Sequence, residues 1–284
     1  MEPNVNIIVP THNLIKNEQA DDFNLLISLL SRQTYPNIEV TIVDNASDDG
    51  TVEMLKDYKN KGFLNFYSER DTGKYSAINK GIMRTKAKYV AFLSCDDFYH
   101  DITAIYDVVN VMEDNEADFS FSPAYCRHPE GFVFLFAPAM YNAFQAIPCP
   151  RQGMMFRRAI LEKMNYFDER FKIMSDMDLI IALIMHKANA VHFERNYTTY
   201  KLSKKAIEQE AKCIEETKLV FLKNFKHLYP IDDDTLNKMI NYSKFPPALL
   251  EKLSTCFPPE DKELFFERCE QMHQLRLEAA NGKR

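Results

Sequence analysis

Short apolar runs alternate with helix-forming segments over residues 1–120, and this alternation constrains the fold more than any other feature of the sequence. The runs, which we predict to be strands, are Asn6–Pro10, Ile38–Val43, Phe63–Tyr67, Lys88–Leu93 and Asp118–Ser122. The predicted helices between them are Phe23–Leu30, Thr51–Lys59, Tyr75–Thr85 and Ile102–Glu113. Strands that alternate with helices in this way indicate βαβ units and a mostly parallel sheet.

The composition is that of an ordinary globular protein. The chain has 284 residues, of which 46% are hydrophobic and 27% charged, which excludes collagen-like and wholly disordered proteins. The formal net charge is -6, whereas nucleic-acid-binding proteins usually carry an excess of basic residues. No nucleic-acid partner is therefore expected. No apolar run approaches the ~18 residues of a membrane span, and the first residues do not resemble a signal peptide. We therefore expect a cytoplasmic protein.

Polar and mostly acidic residues follow each of the first four predicted strands. Thr11 follows the first strand, Asp44 the second, Asp71 the third, and the pair Asp96–Asp97 the fourth. Because ligands of open α/β sheets bind beyond the carboxyl ends of the strands, these side chains are expected to share one site. Several acidic strand ends together indicate a polar ligand accompanied by a hard metal ion.

The later part of the chain contributes a second acidic motif and a helical tail. Ser175–His186 is a predicted helix that Ser175 could cap, with Asp176 and Asp178 in its first turn. Residues two apart on a helix point about 200° apart, so only one of these aspartates can face a given site. Beyond Lys204 the sequence predicts helices broken by prolines, of which Leu264–Ala280 is amphipathic.

Five motifs in a fixed order link the chain to a known family. They are NIIVPTHN, SLLSRQTYPNIEVTIVDNASDDGT, SERDTGKYSAINKGI, KYVAFLSCDD and PRQGMMFRRAILEKMNYFDERFKIMSDMDL. With them the chain resembles the family 2 glycosyltransferases of GT-A fold, especially the bacterial enzymes that build surface polysaccharides. Two departures stand out: only the last two residues of Ser94–Asp97 are acidic, and Arg151-Gln152 stands where the family often has His-Gln.

The resemblance implies an α/β fold of GT-A type, Rossmann-like, in which helices flank a mostly parallel central sheet and a helical extension follows. The implied domains are a catalytic domain over 1–203 and the extension over 204–284. The implied activity is inverting, metal-dependent transfer of a hexose or N-acetylhexosamine from a nucleotide-sugar, with UDP favoured. The acceptor would be a glycan or a lipid-linked glycan of O-antigen or capsule biosynthesis. The alternative is a non-catalytic nucleotide-sugar-binding or assembly protein on the same fold.

The resemblance also assigns roles to residues. Asp97 would bind Mn²⁺ or Mg²⁺. The nucleotide-binding residues would be Pro10, Thr11, Asn13, Asp44, Asp71, Gly73, Lys74 and Asp96. Asp176 would be the general base, with Asp178 as its rival, while Arg151 and Gln152 would contact the sugar or the acceptor.

Simpler structural roles remain open for the same residues. The Asp96–Asp97 pair could cap the following helix, Asp44 could be a turn residue, and the aspartates of the later helix could merely favour its dipole. The helix Leu264–Ala280 could pack back on the catalytic domain or form a homo-oligomer. It could instead lie on the inner membrane surface, although its balanced charge argues against strong attraction to anionic lipid.

Overall fold

The computed structural model describes residues 2–202 and 208–282. They form two compact units. The first consists of Met1–Pro138, Cys149–Lys172 and Asn189–Lys204, and the second of Ala139–Pro148, Ile173–Ala188 and Lys205–Arg284. The predicted domain boundary at 203/204 lies outside the described residues, so the division into domains 1–203 and 204–284 stays a prediction.

The first unit is built on a seven-stranded sheet. In spatial order its strands are β10 (Ala190–His192), β6 (Phe119–Phe121), β9 (Met154–Arg157), β4 (Tyr89–Phe92), β1 (Val5–Thr11), β2 (Ile38–Asp44) and β3 (Asn65–Ser68). All neighbours pair in parallel except β9, which runs antiparallel to both β4 and β6. The predicted mostly parallel central sheet is therefore confirmed.

A second sheet of four strands belongs to the same unit. Its order is β5 (Phe98–Tyr99), β11 (Thr198–Lys201), β7 (Ala124–Arg127) and β8 (Val133–Phe136). β11 pairs in parallel with β7 and antiparallel with β5. The sequence reading missed this sheet because its strands are only two to four residues long.

Five helices accompany these strands in the described part of the first unit. They are α1 (Ala20–Leu30), α2 (Thr51–Asn60), α3 (Lys74–Arg84), α4 (Ala104–Asp114) and α5 (Arg158–Lys163). The helix α3 lies very close to the central strand β1. An added Cβ at Gly81 would lie 2.5 Å from Cγ2 of Ile8, so only glycine permits this approach.

The second unit is helical in its described residues. It contains α6 (Ser175–Met185), α7 (Glu210–Phe225), α8 (Asp233–Tyr242), α9 (Pro247–Ser254) and α10 (Lys262–Gly282). Its core is aromatic, with Phe144 in edge contact with Phe225, Phe257 and Phe265. The first half of α10 thus packs back within this unit through Phe265, whereas oligomerisation and membrane contact through α10 stay predictions. None of the described helices is both long and apolar enough to span a bilayer.

We predict that Gly81→Ala destabilises the protein. The added methyl group must displace Ile8, and overpacking of this kind costs about 1–3 kcal/mol, partly offset by the higher helix propensity of alanine. Chemical denaturation measures the change. Gly282→Ala, where a Cβ meets nothing within 4 Å, is the matched control. Equal stability of the two variants would contradict the tight packing of α3 on β1.

Candidate active site

The ends of β1, β2 and β3 lie side by side around one buried carboxylate. The register pairs Thr11 with Asp44 and Asp44 with Ser68. Asp44 is 0% exposed. It accepts hydrogen bonds from Ser68 Oγ at 2.7 Å, the backbone N–H of Ser47 at 3.0 Å, Thr11 Oγ1 at 3.4 Å and the Ser47 hydroxyl. The turn role of Asp44 is confirmed, and its contact with a nucleotide stays a prediction.

The loop after β1 is fastened to the loop after β2. The backbone N–H of Asn13 donates to Ser47 Oγ at 2.7 Å, and Asn13 Oδ1 accepts from the N–H of Asp48 at 3.1 Å. Asn13 has a φ of 49°, in the left-handed region that asparagine tolerates. Pro10 and Thr11 immediately precede this loop. Three of the predicted nucleotide-binding residues are therefore held close to Asp44.

The loop before α3 is joined to the loop after β2. The N–H of Asp71 donates to Asn45 Oδ1 at 2.8 Å, and Asp71 Oδ1 accepts from the N–H of Gly73 at 2.8 Å. Burial raises the pKa of Asp71, opposed by the Gly73 hydrogen bond. Gly73 has a φ of 138°, which favours glycine, and immediately precedes α3. Lys74, the first residue of α3, is exposed, with Nζ 4.4 Å from the ring centroid of Tyr75.

Asp97 is a buried carboxylate in the turn between β4 and β5. It is 1% exposed. Its Oδ2 accepts from the N–H of Ser94 at 2.7 Å and from Gln152 Nε2 at 2.9 Å, and its Oδ1 accepts from the N–H of Lys201 at 3.2 Å. The helix α4 begins instead after its N-cap Thr103, which forms no side-chain cap. The interpretation of the aspartate pair as a cap of that helix is therefore wrong.

Asp96, next to it, is half-buried. Burial and the negative charge of Asp97 raise the pKa of Asp96 to about 6, with a small opposing effect of Lys201. A cation is stabilising next to a carboxylate whose ionisation is disfavoured by a neighbouring negative charge, as that of Asp96 is.

The aspartate pair fits a divalent cation that is shared with a ligand. An ionised carboxylate offers about four lone-pair positions, so the three hydrogen bonds to Asp97 leave one available. No group of three or more His, Cys, Asp or Glu side chains within residues 2–202 and 208–282 could enclose a metal. Mg²⁺ and Mn²⁺ bind at sites with only one or two protein carboxylates, because phosphate and water oxygens complete the coordination.

Arg151 and Gln152 lie in a 3-10 turn that enters β9. The side chain of Gln152 binds Asp97, and its carbonyl accepts from Thr198 Oγ1 at 3.1 Å. Arg151 is buried, at 6% exposed. A Cβ added at Gly153, the residue after Gln152, would lie 2.8 Å from the carbonyl oxygen of Ser122. The structure therefore brings Gln152 to the candidate metal ligand, while contact of either residue with sugar or acceptor stays a prediction.

The sequence analysis did not predict that β11 contributes hydrogen bonds to this site. The N–H of Lys201 and the hydroxyl of Thr198, at the two ends of that strand, bind Asp97 and Gln152. The segment Thr198–Lys201 contains β-branched and aromatic residues, a strand signal that could have been recognised.

The two aspartates of α6, in the second unit, have different surroundings. Asp178 is 4% exposed; its Oδ2 accepts from Lys223 Nζ at 2.6 Å and its Oδ1 from Asn224 Nδ2 at 2.8 Å. Asp176 is half-buried in the first turn. The N-cap is Met174, so the expected cap at Ser175 is wrong. Asp178 is thus bound by Lys223 and Asn224 within its own unit, and the role of Asp176 as the base stays a prediction.

Comparisons with known proteins identify the family of the chain. The family model for glycosyl transferase family 2 matches residues 6–174. A glucosyltransferase of Escherichia coli, WfaP, is 29% identical over 121 residues, covering 43% of this chain and 46% of its own. The chain spans between 16% and 61% of the length of related glycosyltransferases from Rickettsia bellii and Rickettsia typhi.

Solved structures share the fold at low identity. Staphylococcus aureus TarS in complex with UDP-GlcNAc has a TM-score of 0.60 at 14% identity, covering 96% of this chain and 89% of its own. The mannosyltransferase PcManGT of Pyrobaculum calidifontis, in complex with GDP-Man and Mn²⁺, has a TM-score of 0.62 at 17% identity, covering 99% and 76%. With the family model spanning more than half of its length, the chain belongs to glycosyl transferase family 2 and has the GT-A fold.

Proposed function

We propose that this glycosyltransferase moves a sugar from a UDP-sugar to a hydroxyl of a glycan or lipid-linked acceptor, with inversion and with a divalent cation. The observation that carries the proposal is the carboxylate pair Asp96–Asp97, fixed by Gln152 at the end of β4. The names of the relatives support the donor. WfaP is a UDP-Glc-dependent enzyme acting on a diphosphoundecaprenol-linked sugar, and TarS was solved with UDP-GlcNAc.

Asp97 and Asp96 would hold Mn²⁺ or Mg²⁺. A bound cation would neutralise the charge that develops on the diphosphate leaving group. Asp97 suits a ligand role because three protein donors fix its orientation before any metal binds. Asp96 is more exposed and would reach the ribose or the waters of the metal.

The joined loops around Asp44 would form the nucleotide pocket. Pro10 and Thr11 come from the end of β1, and Asn13 comes from the loop that follows it. Asp71 and Gly73 come from the loop before α3, and Lys74 is the first residue of that helix. The helix α3 begins at this loop, and anions bind favourably at the N-termini of helices. The exposed ammonium of Lys74 adds positive charge there, which suits a diphosphate.

Asp176 would act as the general base. Its carboxylate would take the proton from the acceptor hydroxyl while that oxygen attacks the anomeric carbon and the nucleoside diphosphate leaves from the opposite face. The buried carboxylate of Asp178 pairs with the exposed Lys223, and Asp176 is the half-buried carboxylate of this turn. A lipid-linked acceptor, as in the name of WfaP, would place the reaction at the cytoplasmic surface of a membrane.

A thermal-shift experiment tests the donor and the metal. We expect UDP with Mn²⁺ or Mg²⁺ to raise the melting temperature more than GDP, CDP or dTDP, and EDTA to reduce the shift. A ligand at 100 times its Kd stabilises the native state by about 2.7 kcal/mol. Asp97→Asn should lose the metal-dependent part of the shift, whereas Asp114→Asn, on an exposed residue of α4, should keep it. An EDTA-insensitive shift would remove the metal from the mechanism.

Asp176→Asn tests the base. We expect transfer from UDP-glucose or UDP-GlcNAc to fall at least about 10²-fold, because general base catalysis contributes that much or more. Calorimetric titration should give an unchanged Kd for UDP, since the nucleotide loops are intact. Turnover at the wild-type rate would exclude Asp176 as the base. Absence of donor turnover in the wild-type protein with any acceptor would favour the non-catalytic alternative.

Asp44→Asn tests the organisation of the pocket. An amide in place of this fully buried carboxylate directs N–H groups at the donors of Ser47 and Ser68, and an unsatisfied buried polar group costs about 1–3 kcal/mol. We expect a lower free energy of unfolding in urea and weaker UDP binding. Asp48→Asn, on an exposed carboxylate of the same loop, is the control. Equal stability of the two variants would contradict the role given to Asp44.

A further inference from the structure

A carboxylate from α7 binds the start of α6. Glu216 is 7% exposed, and its Oε2 accepts from the backbone N–H of Ile173 at 2.8 Å and of Met174 at 3.0 Å. These two residues immediately precede the first turn of α6, which contains Asp176.

This contact binds the N–H groups of the N-cap residue and of the residue before it, at the start of a helix whose N-cap forms no side-chain hydrogen bond. The first N–H groups of a helix have no partner inside it, and a Ser, Thr, Asp or Asn at the N-cap usually binds one of them. Here the N-cap is Met174, and the hydroxyl of Ser175 is buried without a hydrogen-bond partner among the described residues. The negative charge of Glu216 also lies at the positive end of the α6 dipole, which favours it there.

The same face of α7 also binds α6 at Asp178, two residues after Asp176. Lys223 and Asn224 bind the two oxygens of Asp178. They follow Glu216 by seven and eight residues, or about two helical turns, and therefore lie on its side of α7. Asn224 also donates to the carbonyl of Val220 at 2.9 Å, which fixes its own orientation. The turn with Asp176 is thus anchored to α7 on both sides.

We propose that Glu216 is a positioning residue for sugar transfer, which acts by fixing the N-terminus of α6 and with it the carboxylate of Asp176. The inference rests on the proposed role of Asp176 as the base. Proton transfer needs the base within hydrogen-bond reach of the acceptor hydroxyl, and a misplacement of about 1 Å can cost about 10²-fold in rate. Residues of the C-terminal helices are then part of the catalytic machinery.

The test compares three substitutions on α7. Glu216→Ala removes the acceptor of both N–H groups, while Glu216→Gln keeps a carbonyl oxygen that can accept them. Glu215→Ala is the matched control, because Glu215 is an exposed neighbour that pairs with Lys218 of the same helix. The readouts are kcat with UDP-glucose or UDP-GlcNAc, the Kd of UDP, and hydrogen exchange of the amides of Ile173 and Met174.

We expect Glu216→Ala to lower kcat by at least about tenfold, to leave the Kd of UDP within about twofold and to accelerate exchange of the two amides. Glu216→Gln should keep kcat within about threefold of wild type, since its hydrogen bonds survive, and Glu215→Ala should match wild type. If Glu216→Ala does not fold, Glu216→Asp takes its place, because it keeps the charge but is one methylene too short.

Three results would overturn the inference. The first is a wild-type kcat in Glu216→Ala despite accelerated amide exchange. The second is an equal loss of kcat and UDP affinity, which a general loss of structure would produce. The third is an equal loss of kcat in Glu216→Ala and Glu216→Gln. Each leaves the proposed function standing if Asp176→Asn is inactive, whereas wild-type turnover of Asp176→Asn excludes Asp176 as the base and overturns the inference together with that part of the proposed function.

Discussion

A carboxylate is so strongly hydrated that it can be buried in a protein only if hydrogen-bond donors or cations replace the lost water. This protein buries four of them, Asp44, Asp97, Asp178 and Glu216, each at most 7% exposed. Each binds groups from segments distant in sequence, since Asp44 joins the ends of three strands and Asp97 binds both the turn at Gln152 and the strand β11. Satisfying these charges fixes the loops around Asp44 and Asp97 in the first unit and the start of α6 in the second unit.

These acidic residues divide into two groups by exposure. Asp44, Asp97, Asp178 and Glu216 are buried and accept hydrogen bonds from donors of the protein, whereas Asp71, Asp96 and Asp176 are half-buried. A half-buried carboxylate can reach a ligand while its surroundings still tune its charge, as the raised pKa of Asp96 illustrates. Asp97 belongs to the buried group, and the hydrogen bonds from Ser94, Gln152 and Lys201 orient the carboxylate that we propose as the cation ligand.

Much of the fold of the first unit could be predicted from the sequence, because the central parallel strands β1, β2 and β4 are mostly buried and mostly apolar. β1 is an example, with Val5, Ile7, Ile8 and Val9 all 0% exposed. The strands of the second sheet are too short for periodicity to separate them from loops. The site residues could be named by resemblance, but the partners of Asp97 and Asp178 could not, since Lys201 and Lys223 are far from them in sequence and Lys201 contributes only its backbone N–H. A contact through a main-chain group does not depend on the residue type, so the sequence does not reveal it.

The region that the family model matches ends at residue 174, immediately before the turn that contains Asp176. Under the proposed function, the residues for nucleotide and metal lie within the matched part of the chain, whereas the proposed base lies beyond it with Asp178, Lys223, Asn224 and Glu216. Every donor of the proposed kind carries the same diphosphate and would need the same cation and loops. The contacts of Glu216, Lys223 and Asn224 with the start of α6 would then let changes in α7 reposition Asp176 without any change in the matched region.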